Sequence, residues 1–388
     1  MPGPLAALTV IELAGLGPSP FACMMFADMG ARVVRVDRPP ARGGGAIDSL
    51  MRNDGFVDRG RVSLAVDLKH PEAVEAVLRL VEKADILVEG YRPGVAERIG
   101  LGPDVCLARN PRLVYGRMTG WGQSGPLAKS VGHDINYIAL SGALHPLGYA
   151  DRPPSPPLNL VGDYGGGGMY LAVGLLAAHV ASKSTGRGQV VDAAMTDGAA
   201  LLMAPLYGMM AKGHWVDRRG ENFLDGAAHF YRTYECADGK FIAVGAIEPH
   251  FYKAMLERCG IADPDFADQW RRERWAALGE KLAAVFRART RDEWSALFEG
   301  SDACVAPVLS MCEAAEHPHN ASRGTFVTSG GMPQPAPGPR FAATPSTLPD
   351  PAPETGQHTC ALLQELGYSP AQIGDLLRAG GAFVAEGD

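Results

Sequence analysis

Leu8-Thr9-Val10-Ile11-Glu12-Leu13, then Ala14-Gly15-Leu16-Gly17-Pro18-Ser19-Pro20, then residues 21–29 with Gly30, then residues 32–36 with Asp37, follow one another near the start of the chain. The first and last stretches are short apolar runs that read as buried strands. Between them lie a Gly/Pro loop over 14–20 and a helix ended by Gly30. The order is strand, helix, strand, which predicts a β-α-β unit and a parallel sheet to follow.

A Gly-x-Gly turn and an acid closing the second strand are part of a dinucleotide fingerprint. Pro20 stands where the third glycine would let helix and strand pack closely. The unit therefore predicts Rossmann-like topology without the dinucleotide. Beyond it, residues 38–58 read as a Gly/Pro/Arg-rich surface loop, and 62–68 as a short extended segment. Pro71 opens a helix whose Val74, Val77, Leu78 and Val81 share one face. Residues 86–88 and 113–118 are further strands, and a strongly apolar helix is expected over 169–181. A strand at 189–194 and a helix at 196–210 follow. This alternation predicts an α/β fold with a mostly parallel sheet covered on both faces.

The pattern changes near Ala227. Residues 230–236 and 241–246, joined by Ala237-Asp238-Gly239-Lys240, carry a hairpin signal, and helices are expected over 249–258, 270–288 and 291–298. The expected organisation is a large Rossmann-like domain over 1–215 and a small α+β domain over 216–325. Residues 326–388 read as an extended linker, proline-rich over 331–353, with C-terminal helices at 359–366 and 370–378. Ser369 is the expected N-cap of the last helix, with Pro370 at its first position. Such a tail needs a surface, either the large domain or a partner subunit.

The chain has 388 residues, 46% apolar and 20% charged, the composition of an ordinary globular protein. A net charge of -7 argues against a nucleic-acid or membrane-surface partner, because both polyanions would repel it. The 7 cysteines are scattered and never spaced CxxC, which fits reduced thiols. The N-terminus has no basic region followed by an apolar run, and no apolar stretch reaches the roughly 18 residues of a membrane span. The expected location is cytoplasmic.

Two stretches invite chemistry. Gly132-His133-Asp134-Ile135-Asn136-Tyr137 and Asn159-Leu160-Val161-Gly162-Asp163-Tyr164, the latter running into Gly165 to Gly168, set a base and an acid in two loop-like segments. His133 reads either as a hydrogen-bonded structural residue or as a base. It has no second histidine or acid at a ligand spacing, so no metal is expected. Asp163, before a glycine run, reads either as a helix N-cap or as an acid beside amides that a ligand oxygen approaches closely. Arg38, Arg92 and Arg98 follow strands, where open parallel sheets bind ligands, and a guanidinium fork suits phosphate. Glu248 follows a strand of the second domain, and its spacing alone favours a helix-terminus acid.

Residues 8–39, Gly90-Tyr91-Arg92-Pro93-Gly94, Thr119-Gly120-Trp121-Gly122-Gln123-Ser124-Gly125-Pro126, Gly186-Arg187-Gly188-Gln189-Val190-Val191-Asp192 and Gly356-Gln357-His358-Thr359 resemble the family III CoA-transferase superfamily. Within it, the His133 and Asp163 stretches and Ala246-Ile247-Glu248-Pro249 resemble its α-methylacyl-CoA racemase branch. The discriminating position is His133, where the transferases typically carry an aromatic residue and use the aspartate as a nucleophile. The resemblance implies two-base transfer of an α-proton in 2-methylacyl-CoA thioesters by His133 and Asp163. Glu248 would support the imidazolium and Asn159 would fix Asp163. It implies CoA contacts from Arg38, Val66, Asp67, Leu68, Lys69, Gly90, Tyr91, Arg92, Arg98, Gly132, Asp134, Ile135, Asn136 and Tyr137, with CoA carried as part of the substrate and no separate cofactor. It also implies an interlocked homodimer. The alternative is a CoA-transferase working through an Asp163 anhydride.

Overall fold

The computed structural model describes residues 3–39 and 55–385; of the loop expected over 38–58, residues 40–54 lie outside them. β1 (Thr9–Leu13) and β2 (Arg32–Asp37) flank α1 (Pro18–Asp28). The helix starts three residues earlier than expected. Pro18 and Pro20 sit in its first turn, where backbone N–H groups have no helical acceptor and proline gives up nothing. β3 (Arg61–Val66), α2 (Pro71–Val81), β4 (Ile86–Glu89), β5 (Val114–Thr119) and β6 (Val190–Ala194) extend the sheet, with α3 (Asp134–Leu140) before β6. These strands are parallel in the order β3-β2-β1-β4-β5-β6. Chain direction across the sheet reverses between β1 and β4, the switch point beyond which such sheets hold ligands.

Alternate residues of each strand face opposite sides. Val10, Val33, Ile86 and Val88 pack with Phe26 and Leu175, whereas Ile11, Val34, Leu64 and Leu87 pack with Val77 and Leu363. Each such side chain gains roughly 1.5–3 kcal/mol on full burial, so covering both faces favours the three-layer arrangement.

α4 begins with wide turns over Leu160–Met169 and continues as ordinary α-helix over Tyr170–Thr185, followed by α5 (Met195–Leu202). By length and apolar content α4 could cross a membrane, against the expectation that no stretch would. Its apolarity has a local cause: Leu171, Ala172, Leu175 and Ala178 are buried in the core beneath β4 and β5.

The chain divides into two compact units. Met1–Ser141, Leu158–Leu202 and Phe326–Asp388 form the first, and Gly142–Pro157 with Met203–Thr325 form the second. In the second, β7 (Tyr231–Glu235), β8 (Phe241–Gly245) and β9 (Val305–Pro307) make an antiparallel sheet. α6 (Pro249–Cys259), α7 (Trp275–Phe286) and α8 (Arg291–Phe298) enclose a core of Phe230, Trp275, Phe286 and Trp294.

The chain then returns to the first unit. The segment expected as a linker opens with a hairpin, β10 (Phe326–Ser329) and β11 (Met332–Pro335). Buried Arg59 holds it: Nε and Nη2 donate to Asp28 at 2.7 and 2.5 Å, and Nη1 donates to Gln334 Oε1 at 2.7 Å. α9 (Thr359–Glu365) and α10 (Pro370–Arg378) lead to β12 (Ala382–Phe383), antiparallel to β3 at the sheet edge. Ser369 caps α10 by accepting from the Gln372 N–H, and Leu362, Leu363, Ile373 and Leu376 complete the core. The surface that buries the tail is therefore the first unit.

Candidate active site

A cavity of about 270 Å³ lies where β1, β4, β5 and β6 end in the first unit. Ser19, Gly90, Arg92, Met118, Trp121 and His133 line it. A second, more open cavity of about 630 Å³, lined by Leu127, Ala139 and Leu140, shares Trp121, Val131, Gly132 and His133 with the first. The imidazole-bearing residue thus borders a space with a polar margin and one with an apolar margin.

His133 ends its loop as the N-cap of α3, with its own N–H donating to Asn136 Oδ1 at 3.0 Å. Tyr137 fixes this turn. Its hydroxyl donates to the Gly132 carbonyl, its ring meets the edge of Trp121 with centroids 4.8 Å apart, and a Cβ on Gly120 would overlap the ring.

Asp163 is likewise not a helix N-cap. It sits inside the wide turns, where the Tyr164 N–H reaches back five residues to the Asn159 carbonyl at 3.3 Å. The Asp163 N–H donates instead to Asp134 Oδ2 at 2.7 Å. Gly162 makes room for that carboxylate, since a Cβ there would stand 2.8 Å from Asp134 Cγ. Asn159 Nδ2 donates to Asp163 Oδ2 at 3.1 Å. The Asp163 carboxyl abuts the start of α1: a Cβ on Gly17, whose φ is +71°, would lie 3.3 Å from Oδ2. Burial raises the Asp163 pKa above the ordinary aspartate value. The Asn159 bond opposes this, the Asp134 charge adds to the rise, and His133 lowers it.

Of the residues expected to meet CoA, Gly90, Tyr91, Arg92, Gly132 and Tyr137 line the smaller cavity with His133, and Asn136 lines the larger. Arg38, exposed beyond β2, lies over the Tyr91 ring at 5.6 Å from its centroid. Burial raises the Tyr91 phenol pKa and the Arg38 charge lowers it. The rest lie elsewhere. Val66 is core, 1% exposed, and paired with Ala382 of β12, and Leu68 packs on the same core. Asp67 accepts from the Lys69 N–H at 3.0 Å, while Lys69 and Arg98 are exposed and line neither cavity. Asp134 is buried against Asp163, and Ile135 is exposed. Glu248 belongs to the second unit, where it is exposed at the N-cap of α6.

Ser19, Met118 and Trp121 were not singled out as site residues in the sequence. The strand-end rule that selected the arginines applies equally to the loops after β1 and β5, and would have found them.

A family model described as CoA-transferase family III matches residues 5–359. The chain belongs to that family. This family III chain is 44% identical over 373 residues, 95% of each chain, to a Mus musculus protein named alpha-methylacyl-CoA racemase. It is 42% identical over 372 residues, again 95% of each, to the Homo sapiens protein of that name. Among solved structures it resembles a CAIB/BAIF family protein from Brucella suis, with TM-score 0.81 and 26% identity, covering 94% of this chain and 100% of that one.

Proposed function

We propose that this chain interconverts the 2R and 2S forms of 2-methylacyl-CoA thioesters by moving the α-proton between two groups. The names of the mouse and human relatives support the reaction class. The observation that carries it here is that His133, on the cavity, lies near enough for its charge to act on Asp163, which lines neither cavity and whose acid form burial favours.

A thioester acidifies its α-hydrogen because the electron pair released on deprotonation moves onto the carbonyl oxygen. Neutral His133 takes the proton from one face, and protonated Asp163 returns one to the opposite face. For the other enantiomer the roles reverse. Desolvation is the largest influence on Asp163, ahead of the Asn159 hydrogen bond that favours the carboxylate, which suits a residue that must be an acid for half of its turnovers. Arg38 and Arg92, beyond β2 and β4, are the proposed partners of the CoA phosphates.

Incubating a single-enantiomer 2-methylacyl-CoA with the enzyme in deuterated water tests the reading. α-Deuterium incorporation together with epimerisation is expected; absence of both would sink it, and hydroxylamine capture at Asp163 dependent on an acceptor acid would favour the transferase.

Two copies are proposed to pair across α4, whose Met169, Val173 and Val180 are 49%, 68% and 69% exposed along one helical stripe. Sedimentation should show a dimer that Val173→Glu weakens. A monomer at micromolar concentration would refute the pairing.

A further inference from the structure

The smaller cavity carries both Arg92, a proposed partner of the CoA phosphates, and His133, the proposed base. In an acyl-CoA the phosphates and the reacting thioester are joined by the pantetheine arm, an apolar chain interrupted by amides. A polar group on this cavity that is neither phosphate partner nor base is left to face that arm. Trp121 is such a group. It borders the smaller cavity and the larger one, and its buried Nε1–H has no partner among the described residues. The indoles of Trp275 and Trp294, by contrast, donate to backbone carbonyls at 3.0 and 2.8 Å. Buried donors are nearly always satisfied, so an orphan beside a cavity points to an acceptor on a ligand. The cavity's other orphan, the Ser19 hydroxyl, both donates and accepts and so selects no ligand atom, whereas an indole N–H can only donate.

The indole is fixed from both sides along the chain. The Gly120 carbonyl accepts from the Thr196 N–H and hydroxyl at 3.1 and 2.8 Å, and the Gly122 N–H donates to Thr119 Oγ1 at 3.0 Å. Its ring also meets that of Tyr137 edge to face. A Cβ on Gly132 would stand 3.2 Å from Trp121 Cζ2, which is bonded to the ring carbon that carries Nε1. The donor edge of the indole is thus turned towards the residue before His133, and Gly132 lines both cavities. An acceptor met there belongs to the part of the arm nearest the reacting thioester. In an acyl-CoA that is the amide carbonyl closer to sulfur.

We propose that the Trp121 indole N–H donates to the amide carbonyl nearer the sulfur of the bound acyl-CoA and so fixes how far the thioester reaches past His133. Trp121 is a substrate-positioning residue: it takes no part in proton transfer, and its bond is the same before and during the reaction. The inference rests on an acyl-CoA thioester being the ligand, as the racemase reading requires.

Nuclear magnetic resonance of protein carrying isotope-labelled tryptophan reads the bond directly. The indole N–H signals come from five residues, and the one lost in Trp121→Phe belongs to Trp121. Saturating the wild type with free CoA should move that signal downfield, as a new hydrogen bond does. An unmoved Trp121 signal in enzyme that calorimetry shows to be CoA-bound overturns the proposal. Epimerisation kinetics separate the bond from the ring. Trp121→Phe, which keeps an aromatic ring, should raise KM for a 2-methylacyl-CoA by about 3- to 10-fold, the worth of one neutral hydrogen bond. Its kcat should stay within about 2-fold, because the lost bond is a uniform one. The defect should persist with the N-acetylcysteamine thioester of the same acid, which keeps that amide, and vanish with the butyl thioester, which has none. An equal defect on the butyl thioester overturns the proposal, as does no defect on the substrates that carry the amide. If Trp121→Phe melts early, the wild-type spectrum keeps the proposal falsifiable, since five unmoved indole signals overturn it. A wild type that binds CoA and moves the Trp121 signal but exchanges no α-proton removes the racemase reading and leaves the bond standing, whereas a wild type that binds no CoA removes both.

Discussion

At the residue scale, Asp163 shows how a catalytic group and a stable fold pull in opposite directions. Its pKa in the folded chain is raised, chiefly by burial, above the ordinary aspartate value of 3.8. Between those two values the native state holds a proton that the unfolded chain releases, so Asp163 lowers stability as pH rises through that window and the cost persists above it. Asp163→Asn removes the charge and keeps the shape. Thermal melts should place the variant above wild type at pH 7, with the gap closing towards pH 4, while kcat for racemisation drops by about 10²–10⁴-fold. A variant less stable than wild type at pH 7 would contradict the assigned burial. Sequence motifs pointed to His133 and Asp163, but Asp134 was expected only as a CoA contact. Its bond to the Asp163 N–H joins positions 29 apart, and only the tertiary fold brings them together.

At the scale of elements, the start of α4 is the feature most remote from its sequence reading. A glycine run after an acid reads as a helix start, because apolar periodicity does not distinguish four-residue from five-residue turns. The glycines have another use: they let backbones meet. A Cβ on Gly166 would stand 2.6 Å from the Ala199 N in α5, and one on Gly198 would overlap the Gly166 carbonyl. Gly162→Ala is the sharper test because its clash falls on Asp134, with Ile138 Cγ2 a further 3.1 Å contact. Urea unfolding should show a loss of about 1–3 kcal/mol, the usual cost of overpacking. Racemisation should fall by more than the folded fraction does, since the displaced Asp134 carboxylate no longer holds the Asp163 backbone. Activity proportional to folded protein would show that this contact has no part in the chemistry. Strands and most helices, by contrast, were legible to within a few residues, because burial on both faces of the sheet writes continuous apolar runs.

At the scale of the whole molecule, the change near Ala227 marked the second fold pattern. The large domain was one of the two surfaces expected for the tail, but chain order hid the exchange of residues 142–157. Residues 142–157 join the second unit and residues 326–385 return to the first, where two-residue β12 closes the sheet edge. A strand that short has no periodicity to read. Composition was equally silent about His229, the group in the second unit on which acid stability should turn. It is fully buried among Phe230, Tyr252 and Phe266, with Nε2 2.7 Å from the Tyr252 hydroxyl. Burial, reinforced by the Arg232 charge, lowers its pKa from 6.5 to about 4. Between those values the unfolded chain binds a proton that the folded chain refuses, so stability falls as pH drops from about 6.5 to about 4 and is unaffected by this group above that range. The shift corresponds to about 3 kcal/mol at the acid end. Tryptophan fluorescence reports the second unit well, since Trp215, Trp270, Trp275 and Trp294 all belong to it. Urea midpoints followed by that signal should fall steeply between pH 7 and pH 4.5 in wild type. His229→Gln, which starts lower for want of the ring's packing, should give a flatter curve over the same window. Parallel curves for the two proteins would show that the acid sensitivity of this unit lies in other groups.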